Sequence, residues 1–336
     1  MPLKGFLDLS REFAVSVSTS ATKIPAQGYR LRILSSGIEI NAADEAGARF
    51  AMTTLSQLMR ISGRRIRAME ITDWPDYPVR GVMLDISRDK VPTMATLFRL
   101  VDKLADWKIN QLQLYTEHTF AYRGHEKVWR GCSPMTAGEI RRLDRYCHDR
   151  GIELVPNQNS FGHMERWLKH DPCRRLAETT GPWRSPFGDE RTVAATLNPL
   201  DKRSLKLVTG LYDQLLPNFS SRLLNVGCDE TFELGQGKSR DACKKRGVGQ
   251  IYLDYILKLH RAVKKRGRRM MMWSDIVHQH PRVIRRLPKD IIGLIWGYEP
   301  DHPFDRQARS MSRAGLDFYV CPGTSSWCSF SGRSRE

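Results

Sequence analysis

From Arg80 onward, short apolar runs alternate with longer stretches whose apolar residues recur at helical spacing, and this alternation limits the fold more than any other feature. The runs fall at 81–85, 110–115, 152–156, 223–227, 270–273, 291–296 and 317–321. Short runs of this kind suit strands buried on both faces, as in a parallel sheet. The intervening stretches predict helices at 93–107, 136–150, 163–178, 200–216 and 250–265. In the first of these, Leu97, Leu100, Val101 and Leu104 share one face. The second opens with a Thr136–Glu139 capping box and stops at Gly151. Alternation of strand and helix specifies the α/β class and a (β/α)8-type TIM barrel. Only seven runs are present where a closed barrel needs about eight, and residues 327–336 read as loop. The expectation is therefore a barrel lacking its last βα unit, either cut short or an open seven-stranded version.

The segment before the barrel has a different rhythm. Short strands at 29–34 and 37–40 are joined by Ser35-Ser36, a helix at 46–59 runs through Phe50, Leu55 and Leu58, and another strand spans 66–71. Residues 1–27 add one strand and a polar connection. The sequence Trp74-Pro75-Asp76-Tyr77-Pro78 marks a boundary, because each proline pushes its predecessor out of the helical region. Residues 1–77 thus read as a small N-terminal α/β accessory domain and 78–336 as a barrel that is incomplete at its C-terminal end.

No run of eighteen apolar residues is present, which excludes a transmembrane helix of the usual kind. The opening residues lack a signal-peptide pattern, and seven scattered cysteines without a CxxC suit reduced thiols, so a cytoplasmic setting is expected. The net charge of +17 gathers at 64–67, 244–246 and 264–269. A nucleic-acid surface is one reading. Solvated helix ends, where cations suit the dipole, are the reading adopted, so no nucleic-acid partner is expected. An acidic polysaccharide is a third possibility. A second copy of the chain, pairing through open barrel edges, is a further expected partner.

Residues 222–233, Arg-Leu-Leu-Asn-Val-Gly-Cys-Asp-Glu-Thr-Phe-Glu, begin as a buried strand and end in two adjacent acids. In a parallel barrel the C-terminal strand ends carry the chemistry. Neighbouring residues of a strand point to opposite sides, so Asp229 and Glu230 need not do the same work. One can be held as an anion while the other stays protonated; an ordinary pair capping the next helix is the alternative. Trp273 and Trp296 end predicted strands and Trp327 follows one. Each is either core packing or an exposed aromatic wall with one N–H donor.

Four motifs stand in order at successive strand ends: Arg80-Gly-Val-Met-Leu-Asp85-Ile-Ser-Arg88, Pro156-Asn-Gln-Asn-Ser-Phe-Gly162-His163, Asn225-Val-Gly-Cys-Asp229-Glu230 and Met272-Trp273-Ser-Asp275. Together they resemble family 20 glycoside hydrolases, the β-N-acetylhexosaminidases, and residues 29–76 resemble the small domain that precedes the barrel in that family. The resemblance implies a retaining exo-hydrolase in which the substrate's own acetamido oxygen attacks the anomeric carbon. It implies Glu230 as general acid, Asp229 as the group that orients the acetamide, Arg80 as a grip on sugar hydroxyls, and His163 as support for the acid. A structural ion pair is the alternative for Arg80, and a helix N-terminal residue for His163. The acid expected four positions before His163 is Asn159 here, and Glu117 or His118 fills the place of acids after the second strand. Trp273 and Trp327 match residues of the acetamido pocket. The implied partner is an N-acetylhexosamine-terminated glycan, with no metal and no organic cofactor. The alternatives are an inactive or sugar-binding remnant, and a two-carboxylate glycosidase using Glu117 or Glu299.

Overall fold

A computed structural model of the chain describes residues 1–21, 23–88 and 90–324. Two compact units are present: Met1–Val82 with Ala95–Gln111 and Arg145–Glu153, and Met83–Met94 with Leu112–Asp144 and Leu154–Glu336. The N-terminal part of the first unit contains β1 (Pro2–Asp8), β2 (Ala14–Ser18), β3 (Tyr29–Leu34), β4 (Gly37–Ala42), α1 (Glu45–Ser62) and β5 (Arg65–Asp73). Its sheet has the order β1-β5-β3-β4-β2. Strict alternation in β3 buries Tyr29, Leu31 and Ile33, while Arg32 on the other face pairs with Glu39 at 2.6 Å and Glu70 at 3.3 Å. Asp44 caps α1 by accepting Gly47 N–H at 2.8 Å, and Phe50, Ala51 and Leu55 bury their side chains in the same core. Residues 1–27 hold two strands where one was expected. The second, β2, is exposed along its whole length and pairs in parallel with β4. Val15 and Val17 alternate with Ser16 and Ser18 as in a half-buried strand, yet neither face of β2 is covered.

The rest of the chain runs β6 (Gly81–Asp85), α2 (Met94–Asp106), β7 (Gln111–Tyr115), α3 (Glu126–Trp129), α4 (Ala137–His148), β8 (Glu153–Val155), α5 (Glu165–Leu168), β9 (Trp183–Arg184), β10 (Glu190–Arg191), α6 (Lys202–Leu215), β11 (Leu223–Asn225), α7 (Arg240–Arg246), α8 (Val248–Lys265), β12 (Arg269–Trp273), α9 (Asp275–Gln279), α10 (Pro281–Ile284), β13 (Ile292–Gly297), α11 (Phe304–Arg313) and β14 (Asp317–Pro322). Three strands form the sheet β6-β7-β8 and four the sheet β11-β12-β13-β14, and an Asn157–Asn225 parallel bridge joins the two series where β8 gives way to β11. These are the seven strands read from the sequence, and no eighth follows among the described residues. Helices separate them as the spacing requires. The capping box of α4 forms, with Thr136 N–H donating to Glu139 Oε2 at 2.8 Å and Glu139 N–H to Thr136 Oγ1 at 3.2 Å.

The helix expected at 163–178 is broken into α5 and a 3-10 turn at Cys173–Leu176. Pro172 immediately precedes that turn; it lacks an N–H and cannot continue an α-helix from the previous turn. The apolar spacing was nonetheless real, since Trp167, Leu168, Cys173 and Leu176 are all buried. The strand interior packs Val155, Met271, Trp273, Ile292 and Leu294 together, with Trp296, Tyr319 and Cys321 partly buried against them.

Candidate active site

The turn that follows β11 is built from left-handed residues. Gly227, Cys228 and Glu230 have φ of 68°, 74° and 49°. For the two that carry a Cβ this costs on the order of 1–3 kcal/mol each, so the surroundings must hold it. Several contacts do so. Val226 N–H donates to Met271 O at 2.9 Å and Trp273 N–H to Gly227 O at 3.0 Å, which ties the turn to β12. Tyr252 Oη donates to Cys228 O at 2.8 Å. Glu230 N–H donates to Asp275 Oδ2 at 3.0 Å. Gly162 lies so close that a Cβ placed there would be 2.2 Å from Asp229 O. Gly162→Ala must therefore displace the acid pair. Overpacking costs about 1–3 kcal/mol of stability. A thermal melt checks this, and an unchanged melting temperature would contradict the placement.

Around this turn three strand ends deliver charge to one point. His163 Nε2 lies 3.2 Å from Asp229 Oδ2 and 3.5 Å from Glu230 Oε2, and its Nδ1 lies 3.7 Å from Glu117 Oε1. Burial by itself would depress the imidazole, but Asp229, Glu117 and Glu230 outweigh it and raise the pKa to about 9. The ring is thus a cation at neutral pH, with both nitrogens donating. Glu230 is pushed above the ordinary carboxylic range by burial, a rise that Asp229 reinforces and His163 opposes. Glu117 is likewise raised by burial, against the pull of His163 and Arg88. Asp275 is raised to about 8 by burial and then by Asp229. The His163 and Arg88 cations therefore face a larger number of crowded carboxyl groups, the condition under which some of them keep their protons.

Arg88 closes the other side of Glu117. Its guanidinium pairs with Asp85, lies 3.4 Å from Glu117 Oε1, and stacks 4.5 Å from the centre of the Tyr115 ring. Tyr115 Oη donates to Glu117 Oε1 at 3.0 Å.

Asp229, Glu230, His163 and Glu117 come together in this way. Of the two candidates after β7, Glu117 meets His163. His118 is buried, and its pKa falls to about 4 through burial and the nearby Arg166 and Lys169. Glu117, from the strand before, thus takes up the His163 Nδ1 side, while Asn159 donates its Nδ2 to Thr116 O at 3.2 Å. The hydrogen bond from His163 goes to Asp229, with Glu230 slightly farther away.

Arg80 is a correction. It stands at the entry end of β6, where its guanidinium donates to Lys108 O at 2.8 and 3.0 Å, to Tyr77 O at 2.8 Å and to Gln27 Oε1 at 3.1 Å. Those donors are consumed within the first unit. Arg88, past the exit end of the same strand, is the arginine beside the acids. The motif contained both, and strand length alone separates them: five residues at about 3.3 Å each put them at opposite ends.

Trp273 is 8% exposed and Trp296 partly buried against the same cluster. Both indole N–H groups are buried without a protein acceptor among the described residues, and Asp229 Oδ1 is buried without a donor among them. Trp296 packs on Tyr298 with ring centres 5.3 Å apart. The Tyr298 hydroxyl, to which no role was assigned, has a pKa raised to about 12 by burial and then by Asp229 and Glu230. Trp327 lies outside the described residues. Among the described residues no group of three or more His, Cys, Asp or Glu side chains is arranged to hold a metal ion, and no helix is long and apolar enough to cross a membrane.

Comparison with known proteins identifies the family and the fold. Residues 77–331 match the family description "Glycosyl hydrolase family 20, catalytic domain", and residues 8–74 match "Glycosyl hydrolase family 20, domain 2". Beta-hexosaminidase 1 of Coccidioides posadasii is 28% identical over 318 residues, covering 85% of this chain and 53% of that protein. Human hexosaminidase D is 26% identical over 236 residues, covering 67% and 46%. The chain thus spans about half the length of these relatives. The chitobiase structure of Flavobacterium johnsoniae superposes with a TM-score of 0.80 at 20% identity, covering 96% of this chain and 58% of that one. The exo-β-N-acetylglucosaminidase of Vibrio harveyi, solved with N-acetylglucosamine, superposes at 0.75 with 18% identity, covering 94% and 52%. These likenesses establish the TIM-barrel fold with its small preceding domain. With one match covering most of the barrel and a second covering the domain before it, the chain belongs to glycosyl hydrolase family 20.

Proposed function

We propose that this chain is a retaining exo-β-N-acetylhexosaminidase that removes terminal N-acetylhexosamine from glycans by substrate-assisted catalysis. The observation that carries the reading is Asp229 Oδ1, a buried acceptor without a donor among the described residues, beside a glutamic acid raised by burial. An acetamido N–H is the donor such an oxygen lacks. With that hydrogen bond made, the amide is oriented for its carbonyl oxygen to attack the anomeric carbon, and the carboxylate balances the positive charge that develops. Glu230 gives its proton to the leaving oxygen and later takes one from water. The His163 cation holds Asp229 in place and limits how far the Glu230 pKa can rise. Arg88, rather than Arg80, supplies the guanidinium for sugar hydroxyls, since a planar multi-donor group suits vicinal oxygens. Trp273 and Trp296 form apolar walls of the site.

Glu117 is poorly suited to the nucleophile of a two-carboxylate mechanism. Tyr115, Arg88 and His163 all bear on its carboxyl group. The proposal keeps residues 1–77 as the accessory domain and 78–336 as the barrel. It includes a cytoplasmic setting, supported by the buried free thiols Cys147, Cys173, Cys228 and Cys243. It also includes self-association through β14, which is hydrogen-bonded on one side only among the described residues.

The test uses p-nitrophenyl N-acetyl-β-glucosaminide and N-acetyl-β-galactosaminide against the plain β-glucoside. Release from at least one acetamido sugar, and none from the glucoside, is expected because only the former carries the internal nucleophile. Equal rates on both kinds would sink the mechanism.

A further inference from the structure

Six cations gather on an outer surface that the chemistry above leaves unused. Lys244, Lys245 and Arg246 close α7, Arg282 lies on α10, and Arg285 and Arg286 follow it; all six are exposed. Two contacts bring these segments together at the start of α8. Arg286 Nη1 donates to Gln250 Oε1. Gly249 lies so close to His280 that a Cβ placed there would be 2.8 Å from the imidazole Cγ. Cys243, Val283, Ile284 and Leu287 are buried on the opposite sides of the two segments, so the cations are left facing solvent. Asp241 and Asp254 are the only carboxylates of α7 and α8, and α10 has none. Asp254 is already taken by Arg246 and by Gln250 Nε2, the latter at 2.7 Å.

The basic stretch at 264–269 is occupied differently. Lys264 pairs with Asp290 at 3.2 Å, Arg266 with Asp213 at 2.8 Å and Arg269 with Asp317 at 2.5 Å. Arg268 donates to the carbonyls of Leu216 and Phe219, both at 3.1 Å. Ion pairing and helix-end hydrogen bonds account for that stretch. They do not account for the six cations above, of which Arg246 alone has a carboxylate partner among the described residues. Like charges held side by side repel one another, and a bound polyanion relieves that repulsion.

We propose that this face docks an anionic polysaccharide, bearing sulfate or carboxylate groups, as an anchor distinct from the sugar that is cleaved. Guanidinium groups suit both anions, which they can grip through two parallel hydrogen bonds. Among the described residues Val248 is the one exposed large apolar side chain between 240 and 290. The face therefore offers no ring for nucleic-acid bases to stack on and no apolar side for insertion into lipid. That the polymer is a glycan rests on the function proposed above. Both α7 and α10 come after the exit ends of their strands, β11 and β12, so a polymer docked there holds the enzyme by its catalytic face.

The test measures binding of heparin, a sulfated polysaccharide, across a range of salt concentrations. Three proteins are compared: wild type, a patch variant with Lys244→Ser, Lys245→Ser and Arg285→Ser, and a control of equal net charge with Lys4→Ser, Arg64→Ser and Arg67→Ser. All substituted side chains are exposed, and a thermal melt matching wild type is expected for both variants. Wild-type affinity should fall steeply with salt. The patch variant should bind about tenfold or more weakly at about 0.1 M salt, with a log–log salt slope shallower by about two, as three lost charge contacts require. The control should stay within about twofold of wild type. Equal losses in both variants, or a wild type that binds no heparin, would overturn the proposal. So would duplex DNA binding the patch more tightly than heparin, or displacement of heparin by free N-acetylhexosamine, which would put the polymer in the catalytic pocket. Binding is read without turnover, so a chain that cleaves no N-acetylhexosaminide would refute the catalytic reading and leave this measurement decisive.

Discussion

Glu230→Gln lowers kcat on an unactivated N-acetylhexosaminide about a hundred- to ten-thousand-fold, the usual worth of a general acid. The change keeps the shape of the side chain but removes the transferable proton. With p-nitrophenol or a better leaving group, most of the loss is recovered, because the departing oxygen needs little protonation. The pH profile gives an independent readout. Burial raises the Glu230 pKa above the ordinary carboxylic range, so the acid stays protonated to higher pH than a solvent-exposed glutamate. In wild type, activity should fall as pH climbs through that raised value. In Glu230→Gln this limb disappears, whereas any loss caused by deprotonation of His163, at about 9, remains. A variant that keeps the full profile and rate would remove Glu230 from the proton-transfer step.

Asp229→Asn is the second large effect, with a loss of about a hundred- to a thousandfold in kcat. This is the size seen when one preorganised electrostatic partner of a transition state is taken away. The asparagine can still accept a hydrogen bond, so substrate affinity changes less than rate. The sign of the accompanying pH effect follows from His163. After the opposing effect of burial, Asp229 is the leading cause of its raised pKa. Without that charge the imidazole loses its proton at lower pH, and the cation between the acids is lost at a less alkaline value than about 9. An NMR titration of the His163 ring checks the shift, and steady-state kinetics check the rate. A kcat within about threefold of wild type would rule out the acetamide-orienting role.

Asp275 shows how far the site extends beyond residues with an evident chemical role. Its carboxylate accepts the N–H of Glu230 and so supports a residue whose φ of 49° is unfavourable for any side chain with a Cβ. The motif Met272-Trp273-Ser-Asp275 contained it, but nothing along the chain tied it to a backbone amide 45 residues earlier.

Much of the architecture was legible because its signals are local. The seven apolar runs and their order needed only strand length and the helical spacing between them, and Gly151 and the Thr136–Glu139 box marked helix ends directly. The acid pair at the end of β11 was legible for the same reason, since strand termination places it. The break in the 163–178 stretch was masked, because the buried side chains Trp167, Leu168, Cys173 and Leu176 keep an apolar spacing on both sides of Pro172.

The residues by themselves determined the strand series, the preceding α/β segment and the place of Asp229 and Glu230 at a strand's exit end, all consequences of periodicity and turn chemistry. Only the tertiary structure decided that Arg88 rather than Arg80 stands with the acids and that Glu117 rather than His118 faces His163. Each of those depends on which side chains from different strands converge, and on how burial and neighbouring charges then divide the protons among them.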